Sequence, residues 1–302
     1  MADVTIPYVR DITFEYGKVD QVSPLIRRVI CNNPGPFTFK GTGTYIIGKG
    51  EGVAVIDPGP DQPEHLQAIL DAVAGETVSH ILITHHHLDH SPLARPLAEA
   101  TGATIYGCAV KEIAIDDGGV RTEAGSDQFT PDVSVCGGAT IDGKGWTMEA
   151  IPTPGHTSNH ICYALVEENA CFTGDHIMGW STTVVTPPDG NMGDYLASLA
   201  AIKARNFATL WPTHGPPITE PGPFIDGYRA HRMERERQIL AQLADGQTRI
   251  IDMVPKMYVG TDPRLFPAAG RSVLAHLVEL VKDGRVKSAD GSAGPNSAYT
   301  LA

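Results

Sequence analysis

A layered α/β domain followed by a small helical module is the fold class this 302-residue sequence predicts. Two observations predict it. Over the first two thirds, short apolar, β-branched runs alternate with segments whose apolar residues recur at helical spacing, as packed layers of sheet and helix require. After GPPITEPGPFIDG (Gly215–Gly227), with four prolines and three glycines, three helical segments and a short hairpin take over. The domains are therefore drawn as residues 1–220 and 221–302.

Each element follows from local chemistry. GTYIIG and VAVID (Val53–Asp57) read as strands closed by Pro58-Gly59. Pro63 opens a helix whose buried face is Leu66, Ile69, Leu70 and Val73, with Gly75 as its stop. VSHILIT is a short buried strand ending at Thr84, and Ser91-Pro92 supply the cap and first residue of a helix that runs to Thr101-Gly102. ATIYG returns as a strand, and residues 116–150 are rich in Gly and Asp, with Asp142-Gly143 placed as a hairpin turn. ICYALV and ACFTG pair as strands, DYLASLAAIKA is a helix and ATLWP a strand. The tail gives a charged helix from about Tyr228, a second at Ile250–Tyr258, a third from Arg271, then GRVKS and a polar finish, a winged-helix-like arrangement.

Composition narrows the class. Hydrophobic residues make up 42 % and charged residues 19 %, as in a globular protein. No apolar run reaches the roughly 18 residues of a membrane span, and the first residues lack a secretory pattern. The five cysteines (Cys31, Cys108, Cys136, Cys162, Cys171) include no CxxC pair and read as buried thiols in a reducing cytosol, so a cytoplasmic location is expected. The net charge of −12 is uneven: from Pro221 onward there are 11 Lys and Arg against 9 Asp and Glu, and before it 12 against 26. An acidic body opposes non-specific nucleic-acid binding by the whole surface.

The chemistry concentrates in ILITHHHLDHSPLA (Ile81–Ala94), where four of twelve histidines fall within six positions. On an extended segment, side chains alternate, so His85 and His87 share a side and His86 points away. Asp89 and His90 swing back as the chain turns towards the next helix, at a second locus. One segment can thus supply two ligands to each of two neighbouring ions. His156 (TPGHT), Asp175 (ACFTGD) and His214 (PTHG) also follow strand-like runs. Singly, a histidine in such a loop is usually a surface residue and an Asp after Gly a turn or helix cap. No GxSxG elbow or P-loop ending is present.

The ordered set HHHLDH, His156, Asp175, His214 resembles the metallo-β-lactamase superfamily with its HxHxDH signature, over about residues 20–220. That resemblance implies a four-layer αββα sandwich. It also implies that His85, His87 and His156 hold one ion, that Asp89, His90 and His214 hold another, and that Asp175 bridges both. Asp57 matches the aspartate that supports the histidine loop, although turn chemistry alone also explains it. His160 and His176 read as structural histidines. Imidazole and carboxylate donors make two Zn2+ the default, with Fe or Mn able to occupy the same sites. Two ions sharing a hydroxide make a nucleophile at neutral pH, whose proton Asp89 is placed to orient or shuttle.

A bridging aspartate is typical, within the superfamily, of phosphodiesterases, thioesterases and lactonases, whereas β-lactamases usually have Cys or Ser there. Any β-lactam hydrolysis is expected to be weak or promiscuous. AHRMERERQIL (Ala230–Leu240), the Pro/Gly linker before it and the three-helix tail resemble the beta-lactamase-like protein 2 group, whose animal member acts on single-stranded RNA. The family's Gly-Gly after the motif histidine is replaced here by Ser91-Pro92-Leu93. The expected activity is therefore a dinuclear metal-dependent hydrolase of single-stranded RNA or a small ester, with a glyoxalase II-type thioesterase or lactonase as the alternative. The tail is only mildly basic, and its arginines alternate with Glu234 and Glu236. It serves packing or dimerisation as readily as RNA contact, which leaves a homodimer open. A metal-free nucleic-acid-binding regulator would have lost a ligand; all seven positions are filled.

Overall fold

A computed structural model describes residues 5–110 and 129–302. The Gly/Asp-rich stretch up to residue 128 lies outside the described residues. The chain first builds a sheet from β1 (Val19–Gln21), β2 (Ile26–Ile30), β3 (Gly43–Ile47), β4 (Glu51–Ile56), β5 (Thr77–Leu82), β6 (Thr104–Gly107) and β7 (Val133–Ser134), in that spatial order. Pairing is antiparallel as far as β4 and parallel from β4 onward. The crossovers carry α1 (Pro63–Ala72) and α2 (Ala94–Thr101). The second sheet holds β8 (Ala139–Gly143), β9 (Trp146–Pro152), β10 (Ile161–Leu165), β11 (Ala170–Gly174) and β12 (Thr209–Pro212), with α3 (Met192–Ala204) between the last two strands.

Side-chain alternation builds the layers. Tyr45 and Ile47 of β3 face inward and meet Ile161, Tyr163 and Leu165 of β10 in a core between the sheets. The intervening Ile46 turns out onto Ile69 of α1 and Leu97 of α2. On the other side, Cys162 and Ala164 face Tyr195 and Leu199 of α3 and Phe224, Ile225 and Tyr228 of α4 (Pro221–Ala244). The result is helix, sheet, sheet, helix. Then come α5 (Ile250–Met257), α6 (Phe266–Lys282) and the hairpin β13 (Val286–Ser288) and β14 (Tyr299–Leu301), closed around Met253, Leu277 and Tyr299. No helix among the described residues is long and apolar enough to cross a membrane.

Four local expectations need correction. Asp142-Gly143 does not form the turn: both lie in β8, Gly143 pairs with Trp146, and Lys144-Gly145 make the bend, with Gly145 at a φ of 83°. Ser91 does not cap α2, which begins at Ala94; its hydroxyl donates instead to the carbonyls of His86 (3.1 Å) and His87 (3.3 Å), tightening the metal-motif turn. The helices expected from about Tyr228 and from Arg271 begin earlier, at Pro221 and Phe266, because prolines in a first turn lack an N–H that would have no partner there anyway. Finally, Cys108 and Cys136 form a disulfide, while Cys31, Cys162 and Cys171 are buried thiols. The paired cysteines follow the ends of neighbouring parallel strands, β6 and β7, a proximity that a separation of 28 residues conceals. The cysteines therefore do not support a reducing compartment.

Candidate metal centre

Strand direction brings the site together. β4 and β5 run parallel, as do β11 and β12, and β9 shares the direction of β11 across the antiparallel β10. The carboxyl ends of these strands release Asp57, His85, His156, Asp175 and His214 along one rim of the sandwich, where open α/β sheets usually place ligands. The rim is fastened across the two sheets. Ile161 N donates to Thr84 O (2.8 Å), Gly43 N to Thr213 O (2.8 Å) and Tyr45 Oη to Pro212 O (2.7 Å). Gly174 permits a close approach: its φ is 51°, and a Cβ there would lie 2.7 Å from His160 Nε2 and 2.8 Å from Thr84 Oγ1.

Two groups of donors converge. His85, His87, His156 and Asp175 each offer an atom within 4.8 Å of the others, and Asp89, His90, Asp175 and His214 do the same beside them. In the first group, His85 Nε2 lies 2.8 Å from His87 Nδ1, which lies 3.2 Å from His156 Nε2. In the second, His214 Nε2 is 3.0 Å and His90 Nε2 3.5 Å from Asp89 Oδ2. Asp175 belongs to both. Its Oδ1 faces His90 Nε2 (3.5 Å) and His214 Nε2 (3.4 Å), and its Oδ2 faces His156 Nε2 (3.8 Å). His90 Nε2, His214 Nε2 and Asp175 Oδ1 are buried without a hydrogen-bond partner. Buried polar atoms are normally satisfied. Three orphans aimed at one point, with only nitrogen and carboxylate donors around them, fit a divalent cation such as zinc.

The surrounding contacts fix which nitrogen of His85, His90, His156 and His214 faces inward. Asp57 is fully buried with a φ of 47°, and its Oδ2 accepts from His90 Nδ1 (2.9 Å), Thr84 Oγ1 (2.7 Å) and Thr213 Oγ1 (3.0 Å). Its Oδ1 accepts from Thr84 N (2.9 Å). His85 Nδ1 donates to Thr84 Oγ1 (3.0 Å), His156 Nδ1 to Val184 O (2.6 Å) and His214 Nδ1 to Gly41 O (3.3 Å). Such outer contacts orient metal-binding imidazoles and raise their basicity. A threonine immediately before a strand-end histidine, in THHH and PTHG, is visible in the sequence as a signal for this shell. The carbonyls of Gly41 and Val184 carry no side-chain signal.

The remaining histidines stay outside both groups. His86 Nδ1 bonds Asn159 Oδ1 (2.9 Å), whose Nδ2 donates to Cys108 O (2.9 Å). His86→Ala should therefore leave metal content unchanged and lower Tm by a few degrees, as elemental analysis and a melting curve will show. His160 Nε2 accepts from Asp175 N (3.3 Å), and its Nδ1 meets Thr153 Oγ1 (2.9 Å). Burial pushes His176 down to about 3, and its ring nitrogens have no hydrogen-bond partner.

Electrostatics divide the two groups. Burial, reinforced by neighbouring imidazoles, pushes His85 and His87 well below the ordinary histidine range; burial also lowers His156. These rings are neutral donors at pH 7. Burial alone would lower His90 and His214 too, but the carboxylates of Asp89 and Asp175 outweigh it and raise both, with Asp57 adding to the effect on His90. An ion entering the second group must displace protons. Its affinity should fall more steeply than that of the first group between about pH 8 and about pH 6. Chelator competition at the two pH values checks this, and equal slopes would contradict it.

Comparison with known proteins agrees with the fold. The metallo-beta-lactamase superfamily pattern matches residues 38–214, and a beta-lactamase associated winged helix domain matches residues 250–294. The chain is 32% identical over 278 residues to a Beta-lactamase-like protein 2 homolog of Caenorhabditis elegans, covering 89% of this chain and 88% of that protein. It is 35% identical over 236 residues to an Atrochrysone carboxyl ACP thioesterase of Emericella nidulans, covering 76% and 68%. A beta-lactamase domain protein from Burkholderia ambifaria shares the fold with a TM-score of 0.78 at 20% identity, over 98% of this chain and 97% of that one. With the αββα layers, the strand-end donors and the appended three-helix module in place, the chain belongs to the metallo-β-lactamase superfamily.

Proposed function

We propose that this metal-dependent hydrolase holds two divalent ions, zinc by the chemistry of the donors, and cleaves a small ester or thioester. The observation that carries the reading is Asp175, whose two oxygens face different donor groups. When bound, such a pair of ions lowers the pKa of a water and polarises the carbonyl to be attacked. The chain's own residues do the rest. Asp175 holds the two loci at a fixed spacing, and Asp57 accepts from His90 Nδ1 (2.9 Å), which turns His90 Nε2 toward the second donor group. Asp89 has the most exposed carboxylate of the cluster, with 27% of its side chain accessible against 6% for Asp175. That opening suits it to accept a proton from the attacking water and pass it to solvent.

Two observations favour a carbonyl substrate. The rim carries apolar side chains: Leu88, between His87 and Asp89, is exposed, and Phe39 stacks at 4.9 Å on Trp180, which lies against Gly215 beside His214. These surfaces suit an acyl group better than a polyanion. Arginines of the basic helix are also engaged: Arg237 pairs with Glu234 (2.6 Å) and Arg235 lies over the Tyr258 ring, while Glu236 of the same helix pairs with Arg285 (2.5 Å). The thioesterase named among the relatives is in line with this choice. The metal-loaded chain should be assayed against an acyl thioester, an aryl ester, a lactone, bis-p-nitrophenyl phosphate, single-stranded RNA and a cephalosporin. The highest kcat/KM is expected for the thioester or the ester; a highest value for RNA or the phosphodiester would overturn the choice of substrate.

A further inference from the structure

Outside the donor groups, the least expected charge is Arg232. It lies in the middle of α4, only 2% exposed. No carboxylate among the described residues pairs with it, and its Nε has no hydrogen-bond partner. Burying an unpaired guanidinium is costly, so its contacts need a reason. Its Nη2 donates to Thr183 O, and its guanidinium sits 5.1 Å over the Tyr195 ring. Tyr228, one helical turn earlier on the same face, accepts from Met178 N (3.0 Å) and lies within bonding distance of the carbonyls of Met178 (2.6 Å) and Ser181. Both side chains grip the segment that follows β11 and Asp175.

That segment reaches the centre at two points. Thr183 Oγ1 lies 2.8 Å from Asp175 O and 3.0 Å from His176 O. The next carbonyl, Val184 O, accepts from His156 Nδ1 at 2.6 Å and so presents His156 Nε2 to the first donor group. We propose that Arg232, assisted by Tyr228, is a positioning residue for the metal centre: it fixes Thr183 so that Val184 O holds His156 in its ligating orientation. α4 leads into the C-terminal module, so the ligand geometry depends on a helix outside the sandwich sheets. The inference rests on reading His156 as a metal ligand.

The test measures Co2+ affinity by competition with a chelator, and the visible Co2+ spectrum, in full-length chains carrying His214→Ala so that the first group dominates. Adding Arg232→Met should weaken binding about 10–100-fold, the usual cost of losing an outer contact, and change the spectrum. Arg232→Lys, which restores one donor to Thr183 O, should recover part of the loss. Ile239→Ala, in the apolar core of the C-terminal module, should lower Tm and leave affinity alone. If Arg232→Met behaves like Ile239→Ala, the residue only stabilises the fold and the proposal fails. If Arg232→Met does not fold, Tyr228→Phe decides: weaker binding supports the proposal and unchanged binding overturns it. Failure of the parent His214→Ala chain to bind Co2+ would instead overturn the ligand assignment.

Discussion

Asp175→Ala is expected to lower activity on whichever substrate is turned over by at least about a thousandfold, roughly 4 kcal/mol of barrier at 1.36 kcal/mol per tenfold. The change removes one oxygen facing His90 and His214 and another facing His156. On the proposed two-ion reading, both donor groups lose a ligand at once and nothing fixes the spacing between them. The charge balance also changes. Asp175 is held below the ordinary carboxylate range because the His214 and His90 imidazoles outweigh the opposing effect of burial. Without it, His90 and His214 lose an anionic neighbour and hold their protons less tightly, so fewer protons should be released on metal binding. Steady-state kinetics and elemental analysis of Asp175→Ala and Asp175→Asn check this. Wild-type activity in either variant would refute the bridging role.

Asp57→Asn should have nearly as large an effect through a different route. The carboxylate accepts four hydrogen bonds and donates none. An asparagine that keeps its oxygen for Thr84 N must place an amide N–H where Oδ2 met His90 Nδ1. The His90 proton is then driven to Nε2, the atom needed for the metal, because an imidazole with one nitrogen accepting carries its proton on the other. Occupancy of the second donor group should fall about 10–100-fold in affinity while most of the fold survives. Asp57→Ala, which strands all four donors, should cost about 3–5 kcal/mol and lower Tm by roughly 10 °C. Chelator competition on Asp57→Asn and thermal melts of both variants separate the two effects. An Asp57→Asn chain with wild-type metal affinity would show that Asp57 only closes a turn.

Much of this was legible in the sequence because it rests on short-range rules. Side-chain alternation separates His86 from His85 and His87, and His86 indeed bonds Asn159. Strand signals ending at His156, Asp175 and His214 placed three distant residues at strand termini, and the direction of β9, β11 and β12 brings those termini together. What escaped depends on non-local contact. The disulfide joins strands that become neighbours only in the sheet. Ser91 looks like a helix cap until the carbonyls of His86 and His87 compete for its hydroxyl. Pro221 and Pro223 read as linker, although a helix's first turn tolerates both. Arg232 reads as one more residue of a solvated Arg/Glu face, and only packing against Tyr195 and Thr183 identifies it as buried.

Metal stoichiometry tests the proposed two-ion centre of seven side chains around Asp175. The purified chain, loaded with Zn2+ and freed of excess by desalting, should retain two equivalents per chain by elemental analysis. Retention of one equivalent or fewer under those conditions would contradict it.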